Sequence, residues 1–263
     1  MTPLSGTVLL TGASGGIGRA IARAVAPMAG ELVLSGRRTD VLDPLGGELG
    51  ARVIACDLSL REDVERLAEQ AGAVDVLIAN AALRSGGLLS EFSQEQIDQM
   101  LEVNLRAPIA LARALTPGMV ERRRGHVVFM SSLQGKATTP VSSIYCAAKF
   151  GLRGFALALR EDLRRHGVGV SVVLPGFIRD AGMFADSGAK LPFGVGTRSP
   201  KDVAGAVVSA IERNRAEVEV APVGLRLGTA AAAVAPGLSA AVSRRLGSER
   251  IAAEIVAGQR ENQ

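Results

Sequence analysis

Seven short, mainly apolar runs recur along the chain, at residues 7–11, 31–35, 52–56, 74–79, 126–131, 168–174 and 218–221, with amphipathic stretches between them. Runs of this length suit strands, and strands that alternate with helical stretches pair in parallel through crossover connections. The pattern leaves few choices: an α/β fold, a Rossmann-type doubly wound three-layer sandwich around a seven-stranded parallel sheet. Local signals agree with it. Ile17, Ile21, Ala24, Val25 and Met28 keep the spacing of one helical face that Pro27 should close, and Ser93 with Gln96 has the spacing of a capping box opening a later helix.

With 263 residues and 48% apolar content the chain can bury one large core, and no shift in composition divides it. A single domain over residues 1–263 is expected. Two segments depart from the alternation. Residues 177–199, rich in glycine and small side chains, read as a substrate lid, and the Ala-rich stretch 222–263 as an element for association or for packing over the pocket. The net charge is +4, but the arginines are spread along the chain and no cluster marks a nucleic-acid footprint. The one dense run, Arg122 to Arg124, falls where a helix should end and cations favour its dipole. Cys56 and Cys146 lack ligand neighbours at metal-binding spacing, so no metal site is expected and both read as reduced apolar residues. There is no basic, apolar and cleavage-site sequence at the N-terminus, and the longest uncharged stretch, 227–243, contains Pro236 and falls short of the ~20 residues needed to span a bilayer. A cytoplasmic protein is expected, with membrane-surface binding by the tail as the minority alternative.

Between the first apolar run and the first helix stands Thr11-Gly12-Ala13-Ser14-Gly15-Gly16-Ile17-Gly18. Glycines in a strand-turn-helix setting let the backbone turn tightly and approach a diphosphate, while the helix start offers free N–H groups and a favourable dipole. A dinucleotide that is NAD calls for an acid at the end of the second strand to hold the ribose hydroxyls. Gly36 stands there instead, followed by Arg37 and Arg38, whose guanidinium groups suit a 2′-phosphate. NADP(H) is therefore the expected cofactor, with NAD(H) as the alternative. Asp57, past the third strand, either accepts from the adenine amino group or caps the next helix.

Tyr145 and Lys149 are four residues apart in an expected helix, so both project from one face. A lysine so placed can lower the phenol pKa and make it a proton donor or acceptor. Tyr145 is the only tyrosine, and Ser132 ends the fifth expected strand, at the sheet edge where such folds bind ligands.

Taken in order, Thr11-Gly12-x-x-x-Gly16-x-Gly18, Asp57, Asn80-Ala81, Asn104, Ser132, Tyr145-x-x-x-Lys149 and Pro175-Gly176 strongly resemble the short-chain dehydrogenase/reductase family in its compact single-domain subtype, over nearly the whole chain to about Ala221. The resemblance implies an oxidoreductase moving a hydride between a nicotinamide cofactor and a carbonyl or alcohol. It makes Tyr145 the acid/base, Ser132 the group that polarises the substrate oxygen, and Lys149 both the ribose ligand and the modulator of Tyr145. Asn104 completes the tetrad by holding a water, and Pro108, lacking an N–H, leaves the Asn104 carbonyl without its donor four residues on. The implied cofactor contacts are Gly12, Ser14, Gly16, Ile17, Gly18, Arg37, Arg38, Asp57, Leu58, Asn80, Ala81, Tyr145, Lys149, Pro175, Gly176 and Ile178.

The sequence departs from the family in two places. Asp180 replaces a threonine common two residues after the Ile178 position, and the Asn-Asn-Ala-Gly segment reads Ala79-Asn80-Ala81-Ala82. Phe177, Met183, Phe184, Leu191 and Phe193 in the lid point to a mainly apolar small-molecule substrate. The family habit of pairing subunits through the catalytic helix, with Ala147, Ala148, Gly151 and Ala158 on it, implies a homodimer or homotetramer. Two other readings stand beside this one: a non-catalytic dinucleotide sensor or scaffold on the same fold, and an epimerase or dehydratase of the family's longer subtype, which needs a larger C-terminal substrate domain.

Overall fold

In the computed structural model the described residues are 3–83, 86–189, 191, 195–235, 237, 252 and 254. Among them seven strands form one sheet: β1 (Thr7–Thr11), β2 (Glu31–Gly36), β3 (Arg52–Ala55), β4 (Val76–Ala79), β5 (Gly125–Met130), β6 (Val168–Pro175) and β7 (Glu217–Val220). All pair in parallel, in the order β3-β2-β1-β4-β5-β6-β7. Each apolar run became a strand with its bounds moved by at most two residues. The largest shift is at β4, where Val74 and Asp75 form an irregular lead-in: the Val74 N–H donates to the Gly72 carbonyl and that of Asp75 to Thr7.

The helices are α1 (Gly16–Val25), α2 (Thr39–Leu49), α3 (Arg61–Ala71), α4 (Gln94–Leu101), α5 (Ala107–Glu121), α6 (Ser143–Leu163), α7 (Gly182–Ala185), α8 (Pro200–Glu212) and α9 (Val223–Val234). Strand side chains alternate between the two faces, so Leu9 and Leu77 join a core with Leu67 of α3, Leu111 of α5 and Leu152 of α6. Leu10 and Ile78 join a second core with Ile21 of α1, Leu42 of α2 and Val203 of α8. Both faces of the sheet are thus covered, as a doubly wound fold requires.

The capping box at Ser93 and Gln96 forms as expected, with the Gln96 N–H donating to Ser93 Oγ at 3.3 Å and the Ser93 N–H to Gln96 Oε1 at 2.9 Å. Pro27 lies in a single tight turn, Ala26–Met28, that ends α1. Arg122 caps α5 and, with Arg124, faces Asp75 at 3.6 and 3.9 Å. Between α4 and α5 the chain widens into one π turn, Glu102–Arg106, immediately before Pro108. A proline there offers no N–H to the carbonyl four residues back, and the wider turn accommodates the lost bond. On α6 the small residues Ala147, Gly151 and Ala158 are exposed, whereas Ala148 turns into the protein's own core. No helix of the described residues is long and apolar enough to cross a membrane. Phe193, Arg244 and Arg245 lie outside the described residues.

Candidate active site

The sheet order reverses direction at the pair β1 and β4, which opens a crevice at their carboxyl ends. Thr11 and Asn80 fasten this seam. Thr11 Oγ1 accepts from the Asn80 and Ala81 N–H groups at 3.1 and 3.3 Å, and Asn80 Nδ2 donates to the Thr11 and Gly12 carbonyls at 3.1 and 3.2 Å. Gly12 has φ +65°, and a Cβ on it would fall 2.6 Å from Ala81 Cα; one on Gly18 would fall 2.2 Å from the Gly12 carbonyl oxygen. Both contacts are with backbone, so only glycine permits the turn to fold against α1 this closely. The first turn of α1 has no side-chain cap and no acidic residue. Its N–H groups and positive dipole end are therefore available to an anion.

One continuous cleft of about 2020 Å³ runs from this turn across the sheet edge to α9. It is larger than the roughly 300–1,000 Å³ of an ordinary small-molecule pocket. Every expected site residue lines it except Asn104.

At one end stand Arg37 and Arg38. Arg38 reaches across the glycine turn and donates to the Ser14 carbonyl at 3.0 Å, while the Arg37 guanidinium lies 4.0 Å from Asp57 Oδ2. Asp57 does not cap α3, whose N-cap is Leu60; it closes the turn ahead of that helix, its Oδ1 accepting from the Ser59 N–H and hydroxyl at 2.9 and 2.8 Å. Leu58 and the Cys56 thiol complete this end. Burial, followed by the nearby Asp63 charge, pushes the Cys56 thiol up to about 12, so it stays protonated.

At the centre are Ser132, Tyr145 and Lys149. Ser132 ends the β5 segment, its Oγ accepting from the Gln134 N–H at 3.1 Å and lying 3.4 Å from the Pro175 carbonyl. Helix α6 is docked against that strand end by Ser131, whose hydroxyl donates to the Lys149 carbonyl at 2.9 Å, and by Gly135, where a Cβ would fall 2.8 Å from the same oxygen. This docking brings the half-buried Tyr145 beside Ser132. Burial pushes the phenol up to about 12 and the Ser132 hydroxyl only partly offsets it. Lys149 is fully buried, its Nζ 5.5 Å from the Tyr145 ring centre and donating to the Met130 carbonyl at 2.9 Å. Burial lowers its pKa to about 8.

Asn104 does not reach the cleft. Its side chain is wholly buried and bonds the Leu83 backbone both ways, Oδ1 accepting from the N–H at 2.7 Å and Nδ2 donating to the carbonyl at 3.0 Å. Its neighbour Val103, about 100° round the helix, lines the cleft instead.

Past Pro175 and Gly176, the lid begins as a short parallel ribbon. Ile178 bridges Arg198, whose carbonyl accepts from the Arg179 N–H at 2.8 Å. Phe177 and Phe184 stack at 5.1 Å. Helix α9 closes the far end with Gly224, Leu225, Gly228 and Thr229. It is tethered by a charge cluster absent from the sequence reading: Arg226 to Glu219 at 3.2 Å, Lys136 to Glu219 and Glu217 at 2.5 and 2.7 Å, and Arg153 to Glu217 at 2.6 Å. Burial opposes the charges on Lys136 and Glu217, yet their mutual hydrogen bonds outweigh it, leaving Lys136 raised and Glu217 lowered. Gln96, Gln99 and Met100 of α4 also line the cleft, and none gave a sequence signal of that.

The family model described as short chain dehydrogenase matches residues 6–191. This chain is a short-chain dehydrogenase. It is 38% identical over 230 residues to the ketoacyl reductase HetN of Nostoc sp., covering 84% of this chain and 80% of that one. It is 35% identical over 182 residues to the 3-oxoacyl-acyl-carrier-protein reductase FabG of Rickettsia bellii, covering 68% and 76%. Among solved structures, a short-chain dehydrogenase from Sphingobium yanoikuyae in complex with NADPH superposes with a TM-score of 0.76 at 27% identity, over 89% of this chain and 95% of that one. The short-chain dehydrogenase described here is accordingly an oxidoreductase acting on CH–OH or C=O groups. Its glycine cradle, uncapped helix start and paired arginines fit a phosphorylated nicotinamide dinucleotide.

Proposed function

We propose that this short-chain dehydrogenase is an NADP(H)-preferring reductase of neutral, mainly apolar carbonyl compounds, 3-oxoacyl thioesters among them, with Tyr145 as proton donor. The observation that carries the reading is the meeting, in one cleft, of an uncapped helix start with Ser132, Tyr145 and Lys149. The main chain at Gly12, Ser14, Gly16, Ile17 and Gly18 would hold the diphosphate, Arg37 and Arg38 the 2′-phosphate, and Asp57 and Leu58 the adenine. Asn80 and Ala81 back the turn, Lys149 holds the ribose, and Pro175, Gly176 and Ile178 flank the nicotinamide. Bound there, the nicotinamide supplies or accepts a hydride.

The chain's own residues manage the oxygen. Ser132 donates to the substrate carbonyl, and Tyr145, whose phenol at about 12 keeps its proton at neutral pH, gives that proton to the oxygen as negative charge develops. Lys149 at about 8 is mostly charged at neutral pH and stabilises the phenolate left behind. A protonated phenol suits reduction better than oxidation. The Asn104 main-chain carbonyl, to which Pro108 offers no N–H, would hold a water that returns the proton.

Substrate class follows from where the charges fall. Among the described cleft residues the cations are Arg19, Arg37, Arg38 and Lys149, all in the nucleotide half or beside Tyr145. Toward α9 the wall offers Phe177, Phe184, Val195 and Leu225 with the Gln134 amide and Thr139 hydroxyl. Nothing described there would pair with a free carboxylate, which favours a thioester over the corresponding acid. The names of the two reductase relatives lend the same support. Exposed Ala147, Phe150, Gly151, Gly154 and Ala158 on α6 support a homodimer or homotetramer, and the cytoplasm is the proposed location.

The test is NADPH consumption with a panel of 3-oxoacyl thioesters, their free acids and simple ketones, with NADH in parallel. Thioesters should turn over with NADPH, and Tyr145→Phe should lower turnover by about 10²- to 10⁴-fold while NADPH affinity holds. Equal turnover by the variant would remove Tyr145 from its role. NADPH binding with no turnover across the panel would favour the sensor.

A further inference from the structure

The turn of the lid that touches the glycine cradle is unusual in its backbone and its charge. Asp180 has φ +68° and Gly182 φ +84°, two left-handed residues around an extended Ala181. This turn lands on the start of α1: a Cβ on Gly16 would fall 2.4 Å from Ala181 Cβ, and one on Gly182 would fall 3.1 Å from Ile17 Cδ1. Gly16 and Ile17 belong to the uncapped first turn that the nucleotide reading assigns to the diphosphate. Asp180 lines the same cleft, one residue from that contact, and its carboxylate is exposed with Arg179 at 3.4 Å. A left-handed φ also explains the residue type, since aspartate and asparagine tolerate it and β-branched threonine does not.

We infer that Asp180 sets cofactor affinity, as a negative charge held beside the diphosphate cradle that weakens nucleotide binding and favours release. The inference rests on the nucleotide reading of the cleft. The α1 start attracts anions, and Asp180 is brought to it on the lid; a cofactor diphosphate entering the cradle meets that charge. Both charges are near solvent, so the repulsion is modest and salt-sensitive, about three- to tenfold in affinity at low ionic strength.

The experiment is fluorescence titration of the full chain with NADPH and with NADH, without substrate, at low salt and at 1 M salt, where the Debye length falls to about 3 Å. Asp180→Asn and Asp180→Gly both accept the left-handed backbone and both remove the charge. Each should bind NADPH and NADH about three- to tenfold more tightly than wild type at low salt, by the same factor because the two nucleotides share the diphosphate. The gain should shrink toward one at 1 M salt, and Asp180→Glu should stay near wild type. A purely structural role for Asp180 would give changes indifferent to salt, which would overturn the inference. So would unchanged affinity in both variants, or a gain confined to NADPH. Wild type that binds neither nucleotide would refute the nucleotide reading itself, and this inference with it; wild type that binds while the variants match it refutes the Asp180 role alone.

Discussion

Replacing Lys149 with methionine should make the protein more stable and catalytically inert. Lys149 is 1% exposed, and the polar partner found for its Nζ is the Met130 carbonyl at 2.9 Å. Burial lowers its pKa from 10.5 to about 8, and at about 1.4 kcal/mol per unit that shift means the folded state bears roughly 3 kcal/mol for keeping the ammonium charged at pH 7. Methionine fills similar volume without the charge. It gives up the hydrogen bond to Met130, worth about 1 kcal/mol, so the net gain is about 2 kcal/mol, or a Tm higher by roughly 4–8 °C for a chain of this size. The pH dependence carries the sign. From about pH 8 to 10.5 the folded wild type releases this proton while the unfolded chain still holds it, so wild type gains stability with rising pH and the gap to Lys149→Met closes. Cys56 and Tyr145, both raised, titrate alike in the two proteins and cancel in the difference. Reversible urea unfolding at steps from pH 7 to 10.5, beside an NADPH assay, measures both halves. A variant no more stable than wild type at pH 7, or a gap that stays constant across that window, would refute the argument.

Arg37→Ala should weaken NADPH by about 10- to 100-fold, the worth of a charge-assisted hydrogen bond to phosphate, while changing NADH little; equal losses would make Arg37 a partner of Asp57 and nothing more. His126 is 2% exposed, its Nε2 2.8 Å from Ser171 Oγ, and burial lowers its pKa from 6.5 to about 4. Protons therefore bind the unfolded chain first as the pH falls below 6.5, and stability should drop by about 2 kcal/mol between pH 6.5 and 5. His126→Gln should flatten that slope in urea titrations; a slope unchanged by the substitution would assign the acid sensitivity to other groups.

Strand and helix periods reported all seven strands because each apolar run is short and bounded by a turn, and such local signals survive folding unchanged. The Gly18 contact was legible for the same reason, since it is set by Gly12 in the same turn, whereas Gly12 is constrained by Ala81, 69 residues away. What local pattern could not convey is which distant group claims a polar side chain. The side-chain amide of Asn104 belongs to Leu83, 21 residues away, a partner that its place in a motif did not indicate. Asp57 fitted two roles in sequence, and the structure adds a third, with one of its oxygens closing the turn onto Ser59 ahead of α3. Lys136 and Glu217, 81 residues apart, gave no sign in sequence of a shared ion cluster. Ala148 matched the small residues of an exposed stripe, but a shift of one position on a helix turns a side chain by about 100° and places it in the core.

The cluster of Lys136, Arg153, Glu217, Glu219 and Arg226 has a bearing on heat. Hydration of charged groups becomes less favourable on warming, so the penalty for holding ions together out of water falls, while the gain from burying apolar surface levels off. Helix α9 rests on the substrate end of the cleft through small side chains that bury little area, and Arg226 ties it to the sheet edge through Glu219. This wall, with little apolar packing, is thus secured by contacts whose relative worth grows with temperature, and the pocket should keep its shape into the range where purely apolar contacts begin to loosen.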